Sequence, residues 1–318
     1  MTGSLRLMAV HAHPDDESSK GSATMARYVA EGHDVMVVSC TGGERGDILN
    51  PRLKDNAEIL RDMPQVRRRE MAAAQEILGV RHRWLGFVDS GLPEGDPLPD
   101  LPAGCFALEP MDVPTEALVR EIRAFRPHVI TTYDENGGYP HPDHIMCHNV
   151  TLTALRAAGD PSAYLHAGPA WQPLKLYYDR TFTGGKLRAM HEAIEAMGKQ
   201  SPFADWIKRR QDRPDGRVTT QVHCAEYFDV RERALLAHAT QIDPDGSFFA
   251  IPAEEQAAIW PTEEWDLALS YVPVSEGEDD LFAGLGAVTD ADDLATNPPS
   301  TPSVDDVKER AVLEGAHG

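Results

Sequence analysis

Residues 34–40, Asp-Val-Met-Val-Val-Ser-Cys, are apolar at nearly every position and follow a stretch with helical spacing, Ser18 to Ala30, that stops at Glu31-Gly32-His33. A strand with apolar side chains on both faces must be covered on both, as in a parallel sheet flanked by helices. The same alternation runs through the first half of the chain. Strands are expected at Leu5–Val10, Asp34–Cys40, Arg81–Phe87 and His128–Tyr133, with helices at Ser18–Ala30, Gln65–Leu78 and Pro114–Phe125. This order predicts an α/β protein: a Rossmann-like, mostly parallel sheet with helices on both faces.

Beyond Asn149 the alternation loosens. Leu174–Tyr178 and Val218–Val222 read as strands; Gly185–Met197, Phe203–Arg210 and Tyr227–Thr240 read as helices, with Thr262–Ser270 as a last helix. The expected organisation is a Rossmann-like part over 1–160 that carries the site, a smaller α+β section over 161–285 that closes over it, and a tail over 286–318. That tail is acidic, Pro-, Ser- and Gly-rich and poor in aromatics, the composition of a disordered segment, with a short helix possible around Val304–Leu313.

With 51 acidic against 30 basic residues the formal charge is −21, which opposes a nucleic-acid surface or an anionic membrane as partner. No run of about 18 apolar residues occurs, and the first residues are too short in apolar content for a signal peptide. A cytoplasmic location is therefore expected. The four cysteines lie far apart without a Cys-x-x-Cys pair, so reduced, buried thiols are expected rather than disulfides or a thiolate metal site.

Two polar bursts break the apolar pattern, Ala9–Lys20 after the first strand and Asp134–His148 after the fourth. Ligands of doubly wound folds sit outside the carboxyl ends of strands. His13-Pro-Asp-Asp16 and His141-Pro-Asp-His144 each place metal-capable side chains three residues apart, where a tight turn or first helical turn lets them face one way. Proline at 14 and 142 suits helix entry. A lone His-x-x-Asp is commonly a helix cap; two such segments at strand ends point to a metal, in an open set of imidazoles and carboxylate with water in the remaining positions. No Gly-x-Gly-x-x-Gly follows the first strand, which argues against a nicotinamide or flavin enzyme.

His13-Pro14-Asp15-Asp16-Glu17 and His141-Pro142-Asp143-His144 resemble the paired signatures of the LmbE/PIG-L-like metal-dependent deacetylases. Thr41–Gly46, Trp84–Gly91, Tyr133–His144 and His238–Asp243 extend the likeness to the mycothiol branch of that family, over about residues 5–285. The resemblance implies that His13, Asp16 and His144 bind one metal ion, expected to be Zn2+ with Fe2+ as the alternative. It implies that Asp15 is the general base, and that His141 stabilises the tetrahedral intermediate or protonates the leaving amine, with Asp143 holding the His141 ring and favouring its charged form. Tyr139, after Gly137-Gly138, matches a mobile tyrosine that hydrogen-bonds the oxyanion. Arg67 and Asp89 match positions that contact sugar and inositol hydroxyls, and Glu44, on the glycine-rich turn near them, is expected to bind substrate with them.

Lys20 matches the amidase side of the branch and is expected to donate to the cysteinyl part of the substrate. The implied activity is hydrolysis of the glucosaminyl amide of a mycothiol S-conjugate, in thiol-based detoxification. The alternatives are deacetylation of N-acetylglucosaminyl-inositol and cleavage of an antibiotic-pathway thiosugar conjugate. The expected partner is a small pseudo-disaccharide thiol conjugate; the sequence fixes no oligomeric state.

Overall fold

In the computed structural model, which describes residues 4–210 and 216–299, the apolar runs form the centre of one seven-stranded sheet. Its strands are β1 (Arg6–His11), β2 (Asp34–Thr41), β3 (Arg81–Phe87), β4 (Val129–Thr132), β5 (Lys175–Asp179), β6 (Thr220–His223) and β7 (Thr262–Ser270). The order is β3-β2-β1-β4-β5-β7-β6, with the first five strands parallel and β7 antiparallel to both of its neighbours. Leu7, Met8, Ala9 and Val10 are all buried, as are Val35 to Val38, so side chains on both faces of β1 and β2 meet a covering layer. Each such Val, Leu or Met stabilises the fold by about 1.5–3 kcal/mol.

The covering helices follow the expected alternation. They are α1 (Asp16–Ser19), α2 (Ser22–Ala30), α3 (Ala57–Arg61), α4 (Met63–Leu78), α5 (Asp112–Phe125) and α6 (Pro142–Gly159). The second half adds α7 (Gly184–Ala196), α8 (Ala204–Arg210), α9 (Phe228–Ala237), α10 (Ala253–Ile259) and α11 (Val288–Thr296). Right-handed crossovers place helices before and after the reversal of strand order on opposite faces. Accordingly α2, α4 and α9 pack together, and α5 packs on α6. Helix α5 turns Leu118, Val119, Ile122 and Phe125 inward at helical spacing. It also sends Arg123 into the junction after α6. There the guanidinium donates to six carbonyl oxygens, of Ala157, Ala158, Asp160, Ala163, Tyr164 and Gly168, at 2.7–3.2 Å.

Three expectations are corrected. Thr262–Ser270 is strand β7, not a helix. Trp265, Leu267 and Leu269 alternate at period two, and the acidic residues that suggest a helix are buried with partners. Glu263 accepts from Ala23 N, Thr24 N and Thr24 Oγ1 at the start of α2, while Asp266 accepts from Arg180 and Arg217. Ser18–Ala30 is two helices, because the chain turns at Gly21 with φ 84°, and a Cβ there would stand 2.4 Å from the Trp265 ring. The fold also extends past residue 285: α11 buries Ala291 and Ala295, and its Asp292 accepts from Arg6 Nη2 at 2.5 Å. The segment Val304–Leu313 lies outside the described residues.

All four cysteines are free and buried. Among the described residues no helix is long and apolar enough to cross a membrane.

Candidate metal centre

Strands β1 and β4 are neighbours, yet the chain proceeds from β1 toward β2 and from β4 toward β5. A crevice therefore opens at their carboxyl ends, and both histidine segments leave the sheet there. Tyr133, the residue after β4, ties them together. Its hydroxyl accepts from Ala12 N at 2.8 Å and donates to Asp16 Oδ2 at 2.7 Å, and its ring stacks on His144 with centroids 4.2 Å apart.

His13 Nδ1, Asp16 Oδ2 and His144 Nε2 form a triangle with edges of 3.3, 3.4 and 3.4 Å. Three ligands bound to zinc at about 2.0–2.1 Å in tetrahedral directions stand about 3.3–3.4 Å apart, so the donor set fits such an ion without rearrangement. The outer partners agree with this. His144 Nδ1 lies 2.9 Å from Gly137 O, which leaves Nε2 as a lone-pair donor. A Cβ on Gly137 would stand 2.6 Å from His144 Cβ, so only glycine lets the loop come this close. His13 Nε2 faces Asp143 Oδ2 at 3.2 Å and Asp89 Oδ1 at 3.5 Å, which leaves Nδ1 to the triangle. Burial opposes charge on His13, yet Asp143, Asp16 and Asp89 outweigh it and raise its pKa well above the ordinary value. The surroundings thus favour a cation at this point. Burial likewise opposes ionisation of Asp16, but the Lys20 ammonium and His144 hold its carboxyl well below the usual range.

A second trio, His13, His141 and Asp143, also has ligand atoms close together. It is the poorer fit, because Asp143 already accepts from Ser90 Oγ and, at 2.9 Å, from Ser90 N.

Asp15 stands beside the triangle without joining it. Its φ of 110° is in the region costly for a side-chain-bearing residue, by about 1–3 kcal/mol. Its Oδ2 lies 3.6 Å from Arg67 Nη2, and burial raises its pKa against the pull of Arg67. A carboxyl raised in this way is suited to taking a proton. His141 caps α6 by accepting from Asp143 N at Nδ1, 3.1 Å away, which puts the proton of the neutral ring on Nε2. Burial, with His13 and His144 adding to it, lowers its pKa to about 4. Tyr139 is 47% exposed, with its ring edge-on to His144 at 4.7 Å; burial pushes its phenol up to about 12.

These groups open on a cleft of about 560 Å³, lined by His13, Asp15, Asp16, Tyr139 and His141 together with Arg45, Arg67 and Gln241. Arg67 is only 2% exposed, and its Nε and Nη1 have no hydrogen-bond partner among the described residues. Asp89 lines the same cleft, accepts from Arg45 N and Gly91 N, and lies 3.5 Å from His13 Nε2. Glu44 turns Oε1 to Asp89 N, and its neighbour Arg45 lines the cleft.

Two further roles differ from expectation. The Asp143 carboxylate reaches His13 Nε2 rather than the His141 ring; its charge does favour protonated His141, but burial with His13 and His144 outweighs it and lowers the His141 pKa. Lys20 donates to Asp16 Oδ1 at 2.6 Å and Ser19 Oγ at 3.1 Å, so its ammonium braces a ligand carboxylate and is not turned into the cleft. Sequence reading also left Tyr133 without a role, placing it only as the last residue of an expected strand and the first of the segment Tyr133–His144.

An open set of two imidazoles and one carboxylate at the switch point of a Rossmann-like sheet fits a catalytic metal centre, and the relatives that share it make the chain a metal-dependent hydrolase. A family model described as PIG-L: GlcNAc-PI de-N-acetylase matches residues 8–155, the part that holds this centre. The chain is 60% identical over 289 residues to the mycothiol S-conjugate amidase of Streptomyces coelicolor, covering 90% of this chain and 99% of that one. It is 41% identical to the 1D-myo-inositol 2-acetamido-2-deoxy-alpha-D-glucopyranoside deacetylase of Geodermatophilus obscurus, with the same coverage. The N,N'-diacetylchitobiose deacetylase of Pyrococcus horikoshii shares the fold, with a TM-score of 0.56 at 15% identity over 82% of this chain and 83% of that one. This chain belongs to the PIG-L family.

Proposed function

We propose that this chain hydrolyses the glucosaminyl amide of mycothiol S-conjugates, releasing an N-acetylcysteine S-conjugate and glucosaminyl-inositol in thiol-based detoxification. The observation that carries the reading is the 60% identity, over nearly the whole of both chains, to an amidase with this activity in its name. The deacetylase of N-acetylglucosaminyl-inositol is the second reading, at 41% identity. We assign zinc to His13, Asp16 and His144, with ferrous iron as the alternative, and place the protein in the cytoplasm.

When bound there, the ion supplies Lewis acidity that polarises the amide carbonyl and acidifies water near neutral pH. The chain's own residues do the rest. Asp15 takes a proton from the attacking water, the water oxygen bonds to the carbonyl carbon, and the C–N bond breaks as that proton passes to the departing amine. The neutral His141 ring, with its proton on Nε2, and the protonated Tyr139 phenol donate to the developing oxyanion. Arg67, which lines the cleft and whose Nε and Nη1 have no partner among the described residues, binds hydroxyls of the pseudo-disaccharide. Lys20 and Asp89 serve the substrate indirectly, by fixing Asp16 and His13.

The test is a substrate comparison on one enzyme preparation. The kcat/KM for a bimane mycothiol conjugate is expected to exceed that for N-acetylglucosaminyl-inositol by about 10-fold or more. A preference of the same size for the acetylated sugar makes the chain a deacetylase.

A further inference from the structure

Two buried side chains that neither hold the metal nor line the cleft are linked to the backbone of Asp15, Glu17 directly and His238 through Glu17. Glu17 Oε2 accepts from Asp15 N at 2.9 Å; Glu17 Oε1 accepts from Ser18 Oγ at 2.5 Å and lies 2.7 Å from His238 Nε2. Glu17 and His238 are both fully buried. From the other side, Arg67 Nη2 donates to Pro14 O at 2.6 Å. Asp15 itself is at φ 110° and ψ −29°, a conformation an isolated aspartate leaves readily and the surroundings must impose.

The imidazole belongs to a segment stitched to the first half of the chain at every residue. Asn50 Nδ2 donates to Ala239 O, Thr240 N and Oγ1 donate to Glu70, Leu49 N donates to Thr240 O, and Gln241 Nε2 donates to Asp47 O. Gln241 is also part of the cleft wall. Residues 238–241 therefore reach both the substrate space and, through Glu17, the turn that presents Asp15.

We propose that Glu17 and His238 form a clamp that positions the general base, holding the Asp15 backbone in its left-handed conformation so that the carboxylate faces the metal. The two are positioning residues: they touch neither substrate nor metal and act through Asp15. The kinetic part rests on Asp15 being the base of the proposed amidase; the geometric part does not. A buried carboxylate serving only as a core ion pair has no need to accept from the amide of Asp15. The placement of that bond on the strained residue is what distinguishes a clamp.

His238→Leu and His238→Gln test it, because glutamine carries an N–H donor at the reach of Nε2. In His238→Leu, kcat on the bimane conjugate is expected to fall about 100-fold with KM and metal content unchanged, as for a misplaced catalytic group. The Asp15 amide, followed by hydrogen exchange in protein labelled at aspartate nitrogen, is expected to exchange at least about 10-fold faster. His238→Gln is expected to restore both readings most of the way. A folded His238→Leu protein with wild-type kcat and wild-type Asp15 exchange overturns the clamp. Should that variant not fold, Glu17→Met, which keeps the length of the side chain but offers Asp15 N no acceptor, gives the same two readings, and wild-type values there reject the proposal equally. If the wild-type enzyme leaves the conjugate intact, the assigned substrate fails, while the Asp15 exchange rates still decide the clamp.

Discussion

Asp15→Asn is expected to lower kcat by about 10²–10⁴-fold, the usual contribution of a positioned acid or base, with metal content and thermal midpoint unchanged. The reason lies in the division of work within three consecutive residues. His13 and Asp16 give atoms to the triangle, whereas Asp15 offers its carboxylate beside it, 3.6 Å from Arg67, in a setting where burial raises its affinity for a proton. Asparagine is the substitution of choice because it tolerates positive φ better than most residues, so the strained turn is kept. It also keeps the shape of the side chain while removing the basic oxygen. Steady-state kinetics with metal analysis on the same sample checks this. A variant within about threefold of wild-type kcat would place the base elsewhere.

Arg123→Met is expected to cost about 4–5 kcal/mol, at the top of the range for single substitutions. The six carbonyls gathered by Arg123 close the junction from the end of α6 through residue 168. Methionine fills similar volume but donates nothing, and acceptors left buried without donors lose about 1–3 kcal/mol each where water cannot reach them. Not all six are so enclosed, which keeps the total below their sum. The calorimetric midpoint is expected to fall by about 10 °C. Activity of the folded fraction at 25 °C is expected to stay near wild type, because α6 separates this junction from His141–His144 by about 25 Å. A midpoint within about 2 °C of wild type would show that the carbonyls find other donors.

The parallel half of the fold was legible because β1, β2 and β4 are buried on both faces and carry almost unbroken apolar runs. The ligands were legible for a related reason: a strand end is the one place in such a sheet where His-Pro-Asp segments have no core to join. Most of what the sequence left hidden involves partners far away in sequence. Thr262–Ser270 is rich in acid, and its strand character comes from pairing with β5 and β6, about 40 to 90 residues earlier. Asp143 is adjacent in sequence to a ligand, yet its target, His13, is 130 residues away. Lys20 is the exception, because its ammonium rests on Asp16 only four residues before it. The role of His238 was equally hidden, since Glu17 lies 221 residues before it.

The most direct test of the central claim is an anomalous difference map at the zinc edge from crystals of the metal-loaded protein. One peak per chain is expected, within about 2.0–2.3 Å of His13 Nδ1, Asp16 Oδ2 and His144 Nε2. A peak bound instead to His141 and Asp143, or none among these five residues in protein that turns over substrate, would contradict the account.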